Sequence, residues 1–390
     1  MAATPNPAQN ATRSTRRRFR EYWARITEGQ QMDQMWAQFK SEAKASYGLY
    51  SNDVDWDAIK REEKRWKRPL LAAWALFQAL LMKLSPARRV LLLVAVILIM
   101  IDPGIQGRHG ESSFQLGWIG VLILFLLLAL ELADRVTMKR DLEIAREIQQ
   151  WLVPDHAPLV SGMDIAFATR PQNTVAGDYY DAFFRPAAAE SAGTAPLVVV
   201  VADVAGKSVP AALLMATFQA SLRALSATPA TLGEIVIGLD RYTRAHSLEG
   251  RRFTTAFLAE INTGTREMRY VNAGHNDPIL RRASGGIERL PIGGPPFGVP
   301  LFTDDEVSYP AGRIELRPGD LLFIFTDGVV EAANESGREY GEARLLACLL
   351  AAAPETAAET LKRVMADVNQ FVGQVRQHDD ITCLVLRVDM

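Results

Sequence analysis

Ser112–Leu130 is a run of 19 residues without a charge, and its centre, Gly120–Leu130, reads GVLILFLLLAL. A bilayer-crossing helix needs about 20 apolar residues, and roughly 18 already mark a candidate. A water-soluble domain seldom carries so uniformly apolar a segment. Two shorter uncharged runs precede it, Pro69–Met82 with 14 residues and Val90–Ile101 with 12. The second reaches Gln106 when Asp102 lies at the interface, with Pro103 and Gly104 beyond it. Arg88 and Arg89 stand before that run, and Arg135, Lys139 and Arg140 follow the longest one. Basic flanks collect on the cytoplasmic side. The pattern predicts a helical transmembrane hairpin in a membrane region 69–130, with helices near 88–106 and 112–132. The chain is then a multi-pass protein of the inner (cytoplasmic) membrane with its body in the cytoplasm. Pro69–Met82 reads as an interfacial or packed helix. The competing reading of the pair is a buried helical hairpin in a soluble domain.

Charge divides the chain at the same place. Residues 1–89 hold 17 Lys+Arg against 9 Asp+Glu, and the rest hold 26 against 36. The basic segment 1–68 suits an anionic surface, whereas the acidic body argues against nucleic acid as a partner. Two cysteines, Cys348 and Cys383, exclude a disulfide framework and a zinc cluster. The positions six residues beyond them are Pro354 and Asp389, which excludes a cysteine phosphatase's arginine. Residues 131–153 continue from the apolar run without Gly or Pro and predict a linker helix ended by Pro154. Its stripe of Leu132, Val136, Leu142, Ile148 and Leu152 suits either a homodimer seam or packing on the body.

From residue 154 to 390 the pattern changes to short apolar runs between turns. It predicts strands at Asp164–Thr169, Tyr179–Phe184, Leu197–Ala202, Thr254–Ile261, Glu267–Val271, Arg313–Leu316, Leu321–Phe325 and Thr382–Val388. Helices are expected at Pro210–Leu225, Thr231–Ala245, Glu342–Ala352 and Glu359–Phe371. Strands joined by short links, with helices in pairs, indicate an α+β domain with antiparallel sheets.

Acidic residues mark the ends of these strands. Asp203 closes LVVVVAD, Asp327 closes LLFIFTD, Asp178 precedes YYDAFF, and Asp379 and Asp380 precede ITCLVLRV. A charge at the end of a fully apolar strand is costly unless paired or bound to a cation. Each alone reads as a turn former or cap. Together they offer an all-oxygen site for a hard divalent cation, Mg or Mn. Two such ions can activate a water for in-line attack on a phosphoryl group.

Residues 145–388 resemble the catalytic domain of the PPM superfamily of metal-dependent protein phosphatases, in its bacterial SpoIIE/RsbU-like branch. The resemblance rests on AREIQQWLVP at 145–154, VAGDYYDAF at 175–183, VADVAGKSVPAALLMA at 201–216 and FTTAFLAEIN at 253–262. YVNAGHNDPIL at 270–280, GGPPFGV at 293–299, PGDLLFIFTDGVVEAAN at 318–334 and HDDITCLVLRV at 378–388 follow in family order. It implies a two-layer, mainly antiparallel β-sandwich flanked by helices, with a site for two Mn or Mg ions at one end. Carried over by motif, Asp203 bridges both metals and the Val204 carbonyl adds a ligand. Asp327 and Asp379 hold the second metal, and Asp178 reaches the first. Asp203, Asp327 and Asp379 are then catalytic through a metal-activated water, and no side chain attacks phosphorus. Asp181 is a supporting acid of the same motif, and Asp380 is a weaker candidate than Asp379. His275 of NAGH reads as a structural hydrogen-bonding residue.

Two positions depart from the family pattern: Ser208 stands where Gly is common, and Ala176 replaces the first glycine of a GGD-like motif. AGKS at 205–208 lacks the earlier glycine of a phosphate-binding loop, since Val201 stands there. Arg251 and Arg252 read as an exposed basic turn that could also attract a phosphoprotein. The resemblance implies a phosphoserine/phosphothreonine protein phosphatase in bacterial signalling, and the apolar runs make it a membrane-tethered one. Its expected partner is a phosphorylated regulatory protein, such as a STAS-type anti-anti-sigma factor. The rival is a catalytically silent phosphatase-fold signalling scaffold, and a third reading is a two-metal hydrolase of small phosphoesters.

Overall fold

A computed structural model describes residues 67–101, 116–186, 195–247, 252–291, 293–299, 308–351 and 356–389, together with Trp56 and Ile59. Most of the basic segment 1–68, the loop expected at 102–115 and Arg251 lie outside the described residues. The chain divides into two compact units, Met1–Arg135 and Val136–Met390.

In the first unit, α1 covers Arg68–Lys83 and α2 covers Pro86–Ile101. Helix α3, Leu116–Leu152, runs without a break through the unit boundary. Within this unit α2 and α3 meet through small residues. A Cβ added at Gly120 would come 2.7 Å from both the Ala95 carbonyl oxygen and the Ile99 side chain. Ala95 is fully buried, while Met100, Trp118, Phe125 and Leu128 are exposed. Arg88 pairs with Asp134 at 2.7 Å and with Glu131 at 3.3 Å. Among the described residues no helix is long and apolar enough to cross a membrane. Helix α2 has 16 residues, about 24 Å at 1.5 Å per residue, against a hydrocarbon core of about 30 Å. Helix α3 is longer, but Glu131 ends its uncharged part. The structure therefore does not support the expected transmembrane hairpin, and Pro69–Met82 is part of α1.

The second unit is a sandwich of two five-stranded sheets. One sheet has the order β1 (Met163–Arg170), β10 (Ile381–Val388), β9 (Leu321–Phe325), β6 (Ile279–Arg281), β7 (Ile287–Arg289). The other has β2 (Tyr179–Phe184), β3 (Leu197–Val204), β4 (Thr254–Ile261), β5 (Glu267–Ala273), β8 (Gly312–Glu315). All these pairings are antiparallel. Helices α4 (Ser208–Ser226) and α5 (Leu232–Ala245) cover the second sheet. Helices α7 (Glu342–Leu350) and α8 (Ala357–Val372) cover the first, and α6 is the short Asp327–Val330. Capping boxes start α5 at Thr231–Glu234 and α8 at Thr356–Glu359, each satisfying orphan N–H groups of the first turn. The expected α+β class with antiparallel sheets holds. The three-residue β6 and β7 and the single-turn α6 are additional to the expected elements.

Side chains alternate across a strand, and β3 shows the result. Leu197, Val199 and Val201 enter the core between the sheets, with Ile324, Leu384 and Leu386. Val198, Val200 and Ala202 face α4 and α5, with Met215, Phe218 and Ile235. Because both faces of β3 are covered, its sequence is continuously apolar. Continuing that parity places Asp203 in phase with the inner residues, at the strand's end.

Candidate active site

The same parity applies to each element that ends beside Asp203. On β2, Tyr180 and Ala182 face the inter-sheet core, so Asp178 is in the inner phase. Tyr179 pairs with Ala202, which makes Asp178 the next cross-strand neighbour of Asp203. On β10, Leu384 and Leu386 face inward, and Thr382 and Asp380 share their phase. Thr326 continues the inner phase of Leu322 and Ile324 on β9, immediately before Asp327. Strand ends of both sheets thus direct acids and threonines into one end of the sandwich.

Short hydrogen bonds hold this arrangement. Thr326 Oγ1 donates to Asp178 Oδ2 at 3.0 Å, and the Thr382 amide donates to Thr326 Oγ1 at 3.0 Å. Asp380 accepts from the amides of Gln172 and Gly177, both at 2.6 Å, and so ties β10 to the loop that carries Asp178. Asp379 Oδ1 accepts from the Asp380 amide at 2.9 Å. Its Oδ2 lies 3.1 Å from Lys207 Nζ, which also donates to the His378 carbonyl at 2.5 Å. Gly328 can only be glycine: a Cβ there would run into the backbone carbonyl of Asp380.

The electrostatics are those of crowded carboxylates in a poorly solvated place. Burial, then Asp327, Asp379 and Asp380, push Asp203 up to about 7. Asp178 is held well above the usual carboxylate range, chiefly by burial and then by Asp203. Burial also raises Asp327, with Asp379 adding to it, and the Gly328 amide and Lys207 working against it. Among the described residues no group of three or more His, Cys, Asp or Glu is drawn together as a ready-made metal cage.

Asp178, Asp203, Asp327 and Asp379 therefore meet at one end of the sandwich, together with Asp380. Asp181 does not. It is in the opposite phase, with Tyr179 and Phe183, and faces α4. There it accepts from Tyr179 Oη at 2.6 Å and from Arg223 Nε at 2.9 Å. The Arg223 guanidinium also lies 3.8 Å from the centre of the Phe183 ring. His275 follows the end of β5, is buried, and sits 3.1 Å from Thr255 Oγ1 through Nδ1. Burial pushes it down to about 4, so it is neutral at pH 7, in keeping with a structural role. Arg252 donates to the Ala205 carbonyl at 3.1 Å and braces the loop after β3. Lys207 and Thr326 were not singled out from the sequence. Strand parity marks Thr326, whereas Lys207 reaches Asp379 only through the folded loop.

A helix-covered, antiparallel sandwich with acids gathered at one end is the architecture of PP2C-type (PPM) phosphatase domains. Residues 194–389 match the family described as Stage II sporulation protein E (SpoIIE), and the chain belongs to that family. Protein IcfG of Synechocystis sp. is 26% identical over 326 residues, 73% of this chain and 48% of that protein. The chain thus spans about half the length of that relative. Phosphoserine phosphatase RsbU of Bacillus subtilis is 27% identical over 251 residues, 64% of this chain and 70% of that protein. The solved SiaA-PP2C domain of Pseudomonas aeruginosa covers 66% of this chain and 99% of its own, with a TM-score of 0.55 and 24% identity. That likeness bears on the fold.

Proposed function

We propose that this chain is a metal-dependent phosphoprotein phosphatase that removes phosphate from serine or threonine of a small regulatory protein, and that its N-terminal unit attaches it to a membrane. The observation that carries the catalytic part is the convergence of Asp178, Asp203, Asp327 and Asp379, the first three of them raised by burial and by neighbouring carboxylates. Carboxylates so crowded need positive charge to ionise together at neutral pH. An all-oxygen donor set selects Mg or Mn over softer metals. In this reading Asp203, the Val204 carbonyl, Asp327, Asp379 and Asp178 would hold two such ions. Bound there, the ions would supply an activated water and neutralise phosphoryl charge.

The chain's own residues do the positioning. Thr326 orients the Asp178 carboxylate, and Asp380 fixes the 172–177 loop against β10. Lys207 compensates Asp379. A phosphoserine substrate agrees with the similarity to the phosphoserine phosphatase RsbU, and a STAS-type anti-anti-sigma factor is the regulatory protein we favour.

Membrane attachment is supported by the inverted surface of α2 and the first half of α3. Ile97, Met100, Trp118, Leu122, Phe125 and Leu128 are exposed there, and apolar surface on that scale requires a cover. In this reading Arg88, Arg89, Arg135, Lys139 and Arg140 suit the anionic cytoplasmic face of the inner membrane, with the phosphatase domain on that side. Further along α3, Val136, Ile144, Ile148 and Trp151 are also exposed. That leaves this face open for a homodimer seam, while Gln149 of the same helix bonds to the Ala176 backbone of the body.

The test uses the full chain in detergent with a phosphoserine protein, with and without Mn, beside Asp203→Asn. Metal-dependent phosphate release that is lost in the variant is expected, and the same preparation should float with lipid vesicles. Absence of release from the unaltered chain would leave the silent scaffold as the better reading.

A further inference from the structure

A cavity of about 140 Å³ is lined by Asp379 together with Arg170, Lys207, Glu331, Arg376 and His378. Its positive charges are not equally engaged. Lys207 is committed to Asp379 and the His378 carbonyl. Arg170, at the end of β1, bonds through Nη1 to the Asn369 side-chain carbonyl, a neutral acceptor that leaves the guanidinium charge uncompensated. Arg170 Nε is buried and has no hydrogen-bond partner among the described residues. Arg376, in the loop before β10, is exposed and forms no ion pair among the described residues. Glu331, an exposed acid of the same cavity, forms no ion pair with either arginine among the described residues.

The Arg376 guanidinium, without an ion pair among the described residues, and the Arg170 guanidinium, bonded to the neutral Asn369, therefore line a small cavity whose wall includes Asp379 of the phosphatase site. A guanidinium recognises a carboxylate through two parallel N–H donors, and such pairs are the strong, directional ones. The cavity is smaller than the roughly 300 Å³ at which drug-sized ligand sites begin, so it suits one side chain rather than a separate ligand. We propose that this cavity is a specificity subsite for an acidic side chain flanking the phosphorylated residue of the substrate, held by Arg376 and Arg170. The inference rests on the phosphatase reading and adds the class of sequence that the site prefers.

Three phosphoserine peptides that differ only in carrying Glu, Gln or Lys on both sides of the phosphoserine test it, with the full chain in detergent and Mn. The Glu peptide should exceed the Gln peptide in kcat/KM by about tenfold, with the difference in KM, as expected of a charge-assisted pair at a half-exposed site. The preference should shrink as salt screens it. Arg376→Glu should reverse the order and favour the Lys peptide. The exposed, unpaired position of Arg376 makes that variant a safe one for folding. Equal kcat/KM for the Glu and Gln peptides, or an unchanged order in Arg376→Glu, would overturn the subsite while leaving the phosphatase intact. No turnover of any peptide or of p-nitrophenyl phosphate would instead overturn the phosphatase reading, and the subsite with it.

Discussion

The helical unit and the sandwich use the same kinds of apolar residue in opposite ways. On β3 and β10, Val199, Val201, Leu384 and Leu386 are fully buried. On α2 and α3 the large residues point outward, and the contact between helices is made by Ala95 and Gly120. Water rewards the first arrangement through burial of apolar area. The second gains nothing from that effect. It depends on close backbone approach between small residues, as helices do where the surroundings are already apolar. The difference teaches that hydrophobic content alone does not say where a core lies. The size of the residue at the contact does.

Equal truncations on the two sides sharpen this most. Leu384→Ala removes a fully buried side chain from the inter-sheet core and should lower unfolding stability by about 2–5 kcal/mol. Leu122→Ala removes a side chain that is 66% exposed, and should change stability by no more than about 0.5 kcal/mol. Chemical unfolding of the full chain in one detergent measures both. A large loss at Leu122 would show that its face packs against something other than lipid or detergent.

A smaller effect is expected where the sandwich concentrates charge. The folded pKa of Asp203 lies at about 7, above the ordinary carboxylate value of about 3.9. The metal-free folded state then binds more protons than the unfolded chain between those limits. Stability without metal is full at the acid end of that window and falls as pH rises through it. Asp203→Asn removes the titration and should raise metal-free stability near pH 7 by at most roughly 4 kcal/mol, while abolishing metal-dependent phosphate release. Thermal melts with chelator at pH 5 and pH 7.5 decide it. A variant that melts no higher than the parent at pH 7.5 would mean that other contacts relieve Asp203.

In the helical unit the matching weak point is Gly120. Any side chain there meets the Ala95 carbonyl and Ile99. Gly120→Val should separate α2 from α3 and cost about 1–3 kcal/mol of overpacking. Helix-specific hydrogen exchange would register this, and protection equal to that of the parent would remove the close contact from the argument.

What could be read beforehand follows from the same contrast. Strands with covered faces announce themselves as apolar runs, so Tyr179–Phe184, Thr254–Ile261 and Leu321–Phe325 match the observed β2, β4 and β9 end to end. Strands β6 and β7 have three residues each, too few for a period. They exist because β6 pairs with β9, more than 30 residues away in sequence. Alternation would have assigned Asp181 to the helix side and Thr326 to the site. The Lys207–Asp379 pair and the two amides held by Asp380 depend on loops brought together by both sheets, and no local pattern encodes them. The helices were legible as apolar segments, but their length and exposure were not. An apolar run records only that a residue avoids water, whatever covers it.

The smallest expected effect concerns the loop that joins β3 to α4. Ser208 has φ +64°, in the left-handed region that a residue with a Cβ enters at a cost of about 1–2 kcal/mol. The serine thus adopts the conformation that suits the glycine common at this position in the resembling family, and the loop keeps its path at the expense of strain. Asn173 Nδ2 donates to Ser208 Oγ at 3.4 Å, a long bond that offsets little. Ser208→Gly should therefore raise stability by about 0.5–1 kcal/mol, the strain relieved being partly cancelled by the greater freedom of glycine in the unfolded chain. A denaturation midpoint compared at fixed slope measures it. If the loop path is already the productive one, the variant's dependence on Mn concentration will match the parent's. A changed Mn dependence would show instead that Ser208 shifts the carbonyl of Val204, four residues earlier, and that the departure from glycine tunes the site.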